Sequence, residues 1–166
     1  MRHINQIKTK ENHLYSKYHM QITYSFLIFI KKKLNKRGRA ITRDIENLND
    51  IKKMVDLFYG KVRKDDLIGP IFNEKIQNHW AEHLTKLYSF WQSLLLGEQT
   101  YSGYPFPPHM QLPIDKEHFD RWLFLFTKTV DELFIGPTAN EAKDRAYKIA
   151  DIFQNKLNYI RNKSNN

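Results

Sequence analysis

From about Ile41 onward, apolar residues return every three or four positions, the period of an amphipathic helix. Asn49 is the expected cap of the first helix. Its apolar positions, Ile51, Met54, Val55, Phe58, Tyr59 and Val62, share one face, and it ends near Lys64. The segment DDLIGPIFN then reads as a turn-rich corner in which Gly69-Pro70 blocks helical continuation. A second helix is expected from about Asn78 to Leu96, burying Trp80, His83, Leu84, Leu87, Trp91, Leu94 and Leu95 and stopping at Gly97. The stretch EQTYSGYPFPPHMQLP has no sustained period and reads as a long loop with at most one helical turn around His109.

Asp115 caps a third long helix with Phe119, Trp122, Leu123, Phe126, Val130, Leu133 and Phe134 on its apolar stripe, stopping at Gly136-Pro137. Thr138 and Glu141 match a capping box that starts the last helix, so losing the Thr138 hydroxyl is expected to cost about 1 kcal/mol. That helix buries Ala142, Ala146, Ile149, Ala150, Phe153, Leu157 and Ile160. No strand pattern or internal repeat is present. The expected fold is all-α, with four principal helices and short connecting pieces.

The 166 residues suit one domain with a real core, and an aromatic content of 14% supplies flat surfaces for it. The net charge of +9 changes meaning once divided. Residues 1–46 hold eleven Lys or Arg against three Asp or Glu, while the remainder holds sixteen against fifteen. The basicity therefore belongs to a leader and not to a folded face, which argues against a nucleic-acid groove binder. The absence of cysteine excludes disulfides, thiolate-bound zinc, iron–sulfur clusters, thiolate-ligated haem and a catalytic thiol.

The leader, residues 1–40, contains QITYSFLIFI followed by KKKLNKR. Its apolar stretch, Ile22 to Ile30, is nine residues, against the roughly 20 that a spanning helix needs. Three readings compete: a disordered basic tail, an amphipathic surface anchor, or translated upstream sequence with the true start at Met20 or later. The first and third are favoured, and membrane contact by the leader is not expected. The domain itself is expected over residues 41–162, with a polar tail at 163–166.

Four polar groups from different segments lie within or beside the apolar stripes: Tyr59, His83, His109 and Trp122. Buried polar tips need partners, and their convergence on an aromatic interior suits a flat apolar cofactor with a polar centre. Haem fits. His109 follows two prolines that stiffen the backbone, and its imidazole can serve as the metal ligand. Tyr59, His83 and Trp122 can donate hydrogen bonds to a ligand that gains negative charge. Phe58, Phe72, Leu87, Trp91 and Met110 would supply apolar walls. Each group also has an ordinary reading. Tyr59 and Trp122 can be plain core residues, His83 a helix histidine bonded to water or a carbonyl, and His109 a loop histidine. His3, His13, His19, His79 and His118 read as surface residues. A cofactor-free helical interaction module with a membrane- or nucleic-acid-binding leader remains the alternative of another class.

The blocks FYGKVRKDDLIGPIFN, HWAEHLTKLYSFWQSLLLG, YPFPPHMQLP and KEHFDRWLFLF, in this order, resemble the group III truncated haemoglobins over roughly residues 40–160. The resemblance implies a shortened globin, a two-over-two helical sandwich around haem b (iron protoporphyrin IX). It implies His109 as the proximal iron ligand and Tyr59 as the main distal donor. Phe72 would pack on the haem, His83 would act as a distal gate or donor, and Trp122 would face the distal pocket. The leader of about 40 residues departs from a family whose members usually start near the first helix. The implied function is binding or transport of O2, NO or CO, in the cytoplasm. A peroxidase-like or NO-detoxifying activity is the alternative. That activity would need an external reductase, because no flavin or nicotinamide motif such as G-x-G-x-x-G is present.

Overall fold

A computed structural model describes residues 43–164, so the readings made for the leader, including His3, His13 and His19, lie outside the described residues. Five α-helices carry the described residues: α1 (Leu48–Val62), α2 (Gly69–Ile76), α3 (Trp80–Leu96), α4 (Lys116–Leu133) and α5 (Pro137–Ser164). A 3-10 turn, Pro107–His109, interrupts the long connection between α3 and α4. Among the described residues there is no strand, and no helix is long and apolar enough to cross a membrane.

The cap of α1 is Asn47, two residues before the expected Asn49. Its side chain intercepts the Asn49 and Asp50 amides at 2.9 and 3.2 Å, and so fixes where the helix starts. The predicted face is buried: Ile51, Met54, Val55, Phe58 and Val62 are all sealed from solvent. Asp50 is buried with them, and it accepts from the Glu46 amide and the Arg43 guanidinium.

After α1 the chain turns at Asp65, whose Oδ1 accepts from the Leu67 and Ile68 amides at 3.1 Å each. Gly69-Pro70 then opens α2 where the sequence pattern suggests a block. A proline in the first turn of a helix lacks a donor that would have no partner there anyway. Gly69 is required because a Cβ would lie 2.9 Å from the Val62 carbonyl oxygen. The helix α3 begins at Trp80 and ends at Gly97, whose φ of +70° is the left-handed stop that glycine adopts without steric cost. Ser93 and Thr100 then hold the connection against α3, with Ser93 Oγ accepting from the Thr100 and Tyr101 amides.

The last helix is capped from far away. Asp44, ahead of α1, accepts from the Thr138 and Ala139 amides at 2.8 Å each. The expected capping box at Thr138 and Glu141 is not what starts α5. The helix begins at Pro137, so Thr138 already lies inside its first turn. Gly136, at φ +155°, lets Asp44 approach where any Cβ would collide with the carboxyl group. The helix continues to Ser164, past the expected boundary at residue 162.

Packing pairs α1 with α3 and α4 with α5. Contacts of α1 with α4 and of α3 with α5 lay one pair across the other, a two-over-two sandwich. Polar contacts fasten the helices at their edges, the first between the pairs and the second within one. Lys61 reaches Thr129 and Glu132, and Lys143 meets Asp131 at 2.8 Å. Arg121 on α4 donates to Asp65 at 2.7 Å and so fastens the α1–α2 corner.

Candidate functional site

A cavity of about 430 Å³ lies between the helix pairs. Every element contributes to its wall: Tyr59 from α1, Phe72 from α2, His83, Leu87 and Trp91 from α3, His109 from the turn, Trp122 from α4 and Phe153 from α5. The lining draws on two apolar clusters. Tyr59 and Trp91, with Trp122 packed beside them, belong to the larger, and Phe153, with Phe106 against it, to the smaller.

His109 sits on the smaller cluster, its ring 4.9 Å from that of Phe153. Pro107 and Pro108 start the 3-10 turn that carries it, and the backbone folds so that Nδ1 lies 2.9 Å from the Pro105 carbonyl. A carbonyl only accepts, so Nδ1 carries the proton and Nε2 keeps its lone pair. Burial lowers the pKa of the ring. The Pro105 and Phe106 carbonyls push it back up, nearby Lys75 pushes it further down, and the net result is a shift below the usual histidine value. The imidazole is thus neutral and in one tautomer at neutral pH, the form that ligates metals.

Tyr59, His83 and Trp122 gather on the larger cluster. The Tyr59 and His83 rings meet edge to face at 5.6 Å. Burial drives the Tyr59 pKa far above that of an exposed phenol, and a hydrogen bond from the Trp122 indole opposes only part of that shift. The hydroxyl stays protonated, a donor at every working pH. Burial, then Lys86, then His109 lower the His83 pKa. Its Nε2 is buried and has no hydrogen-bond partner among the described residues, a state that costs free energy unless a ligand completes it.

Two residues expected on the wall stand elsewhere. Phe58 is fully buried one layer behind, in edge contact with Tyr59, Trp122 and Phe126. Met110 is 45% exposed and follows His109 away from the cavity. Two histidines read as surface residues line the rim or wall. His79 is well exposed and pairs with Glu82 at 3.4 Å. His118 is largely covered, with Nδ1 donating to the Asp115 carboxylate at 2.7 Å. The sequence reading also missed Phe90, Tyr101 and Leu112, and it placed Ile149, Ala150 and Phe153 in the core without recognising them as cavity wall.

The family model for bacterial-like globins matches residues 44–156. A curated relative, group 3 truncated hemoglobin ctb of Campylobacter jejuni, is 41% identical over 115 residues, which is 67% of this chain and 91% of the relative. The chain belongs to the group III truncated haemoglobins. The crystal structure of the group III truncated hemoglobin from Campylobacter jejuni superposes with a TM-score of 0.65 at 39% identity. It covers 70% of this truncated haemoglobin and 94% of the solved chain. Globins hold haem and bind small diatomic ligands such as O2, and the cavity residues of this truncated haemoglobin fit that group. The wall is mainly apolar and aromatic, one imidazole keeps a lone pair, and a second imidazole nitrogen is buried without a partner.

Proposed function

We propose that this truncated haemoglobin binds haem b, with His109 as the protein ligand to iron and Tyr59, His83 and Trp122 around the diatomic ligand. The observation that carries the reading is the His109 ring, whose Nδ1–H is committed to Pro105 while Nε2 is left free beside an apolar cavity. The hydrogen bond to Pro105 orients the ring and raises the basicity of the ligating nitrogen. Phe72, Leu87 and Trp91 act as walls that exclude water.

Bound haem supplies an iron that takes one diatomic ligand, O2, NO or CO. The chain supplies the surroundings. Tyr59 keeps its hydroxyl proton because burial disfavours the phenolate, so it can donate to the ligand, and Trp122 lines the same cavity. His83 Nε2 is a further polar contact that the ligand completes. Such donors act in a low-dielectric space, where each is worth more than in water. The same set also suits polarisation of a bound peroxide or turnover of NO, and the electrons for either would come from a separate reductase.

The test is spectroscopic. Full-length protein supplied with hemin is expected to show a Soret band, and His109→Ala to lose stable haem or shift the band sharply. An unchanged spectrum in the variant removes His109 from the ligand role.

A further inference from the structure

The chain has three tryptophans, and they are placed differently. Trp91 and Trp122 both line the cavity, with Phe126 stacked between them at 4.8 and 5.4 Å. Trp80 does not line it. It lies directly behind two cavity groups, 6.2 Å from the Tyr59 ring and 5.9 Å from the His83 ring. Its other neighbour is the Arg63 guanidinium, 4.7 Å from the ring, and 9% of the residue is open to solvent. Tyr59 and Trp80 therefore form a two-ring path from the cavity to the protein surface.

Tyrosine and tryptophan are the side chains most readily oxidised by one electron through their rings, and tunnelling between rings falls off steeply with separation. We infer that Trp80 is an electron-relay residue, which reduces Tyr59 when Tyr59 is oxidised in the cavity and so carries the oxidising equivalent to the surface. The inference rests on the haem reading above, and the oxidant is hydrogen peroxide.

The electrons and protons balance as follows. Hydrogen peroxide reduced at the haem takes two electrons and two protons and leaves two waters. Both electrons come from Tyr59 in two successive turns of the relay, each leaving with the hydroxyl proton that goes into the water formed, so a bound haem would end in the state in which it began. Trp80 then gives an electron to Tyr59 and releases its Nε1 proton to bulk water, while Tyr59 recovers a proton from water. The Arg63 charge above the indole disfavours a cation radical and favours this loss of the proton. A small one-electron reductant in solution, of the phenol or ascorbate class, returns an electron and a proton to Trp80.

The experiment uses full-length, haem-loaded protein treated with hydrogen peroxide and a nitroso spin trap, without reductant, followed by peptide mapping by mass spectrometry. A trap adduct is expected on Trp80, lost in Tyr59→Phe and moved to Tyr59 in Trp80→Phe. Ascorbate added before the peroxide should suppress it. The Tyr59→Phe arm leaves Trp80 intact, so it decides the matter even if Trp80→Phe does not fold. Haem loading is read separately from the Soret band. A loaded protein with no adduct at Trp80 overturns the relay alone. So does an adduct that persists in Tyr59→Phe, or one that forms equally in haem-free protein. A protein that takes up no haem overturns the functional reading and the relay with it.

Discussion

At the scale of single residues, the Tyr59 hydroxyl is the group whose removal should be most informative. It is 5% exposed and held protonated by burial. Tyr59→Phe keeps the ring, its contacts with Phe58 and Phe72 and the cavity volume, and deletes only the donor. A hydrogen bond to a charged partner is worth about 1.5–3 kcal/mol, so O2 should leave the variant faster by about tenfold or more. Flash photolysis or stopped-flow dissociation measures this directly, and an unchanged off-rate would take Tyr59 out of the ligand's surroundings. Helical spacing and the polar character of the side chains picked out Tyr59, His83 and Trp122, the two prolines ahead of it picked out His109, and all four line one cavity. Spacing could not say which neighbour points where. Met110 is next to His109 in sequence yet turns outward, and Phe58 adjoins Tyr59 but sits a layer deeper. Adjacent positions on a helix or tight turn are separated by about 100° or more around the axis, so sequence proximity is a poor guide to a shared wall.

At the scale of elements, the helices were legible because their apolar stripes are long, while their ends were legible only where the capping group is local. Asp115 and Gly97 were both readable, since each acts within a few residues of itself. The start of α5 was not, because its acceptor is Asp44 in another part of the chain. Asp44→Ala should therefore cost about 1 kcal/mol, as loss of a helix cap does, while Thr138→Ala should cost less. Urea midpoints of the two variants compare them, and the reverse order would restore the local box.

The same hydrogen bonds set an acid limb. Burial alone would raise the Asp44 pKa, but the amides of Thr138, Ile45 and Ala139 outweigh it and hold the carboxyl below its ordinary 3.8. Asp65 behaves alike, with burial again outweighed by the Ile68 amide, Arg121 and the Leu67 amide. Each folded-state pKa lies below the unfolded value. The stabilisation is therefore complete above that value and is lost as pH falls through the folded one. Asp65→Asn should be less stable than the parent at neutral pH, and the gap should close as the medium is acidified below about pH 4. Thermal melts across that range test it; a gap independent of pH would mean that the carboxylate charge is not what fastens the corner.

Among the described residues, two crossed helix pairs leave a largely apolar space lined by aromatic rings, and those rings pack the helices as well as facing the cavity. Apolar period alone predicts the helices, and the family resemblance their crossed pairing, but period cannot distinguish a side chain that fills a core from one that faces a cavity. Phe153 and Ile149 on α5 have the same pattern as their fully packed neighbours Ala142 and Ala146. The membrane and nucleic-acid alternatives depend on the leader, whereas the family match covers residues 44–156.

The Asp44 clamp joins points 94 and 95 positions apart along the chain. Closing so large a loop is entropically slow, so the clamp is expected to form after the rate-limiting barrier of folding has been crossed. A contact made that late governs how long the native state lasts more than how quickly it is reached. In a denaturant-jump experiment Asp44→Ala should steepen the loss of native signal while leaving the refolding limb nearly in place; a slowed refolding limb would instead put the meeting of Asp44 with the start of α5 in the folding nucleus.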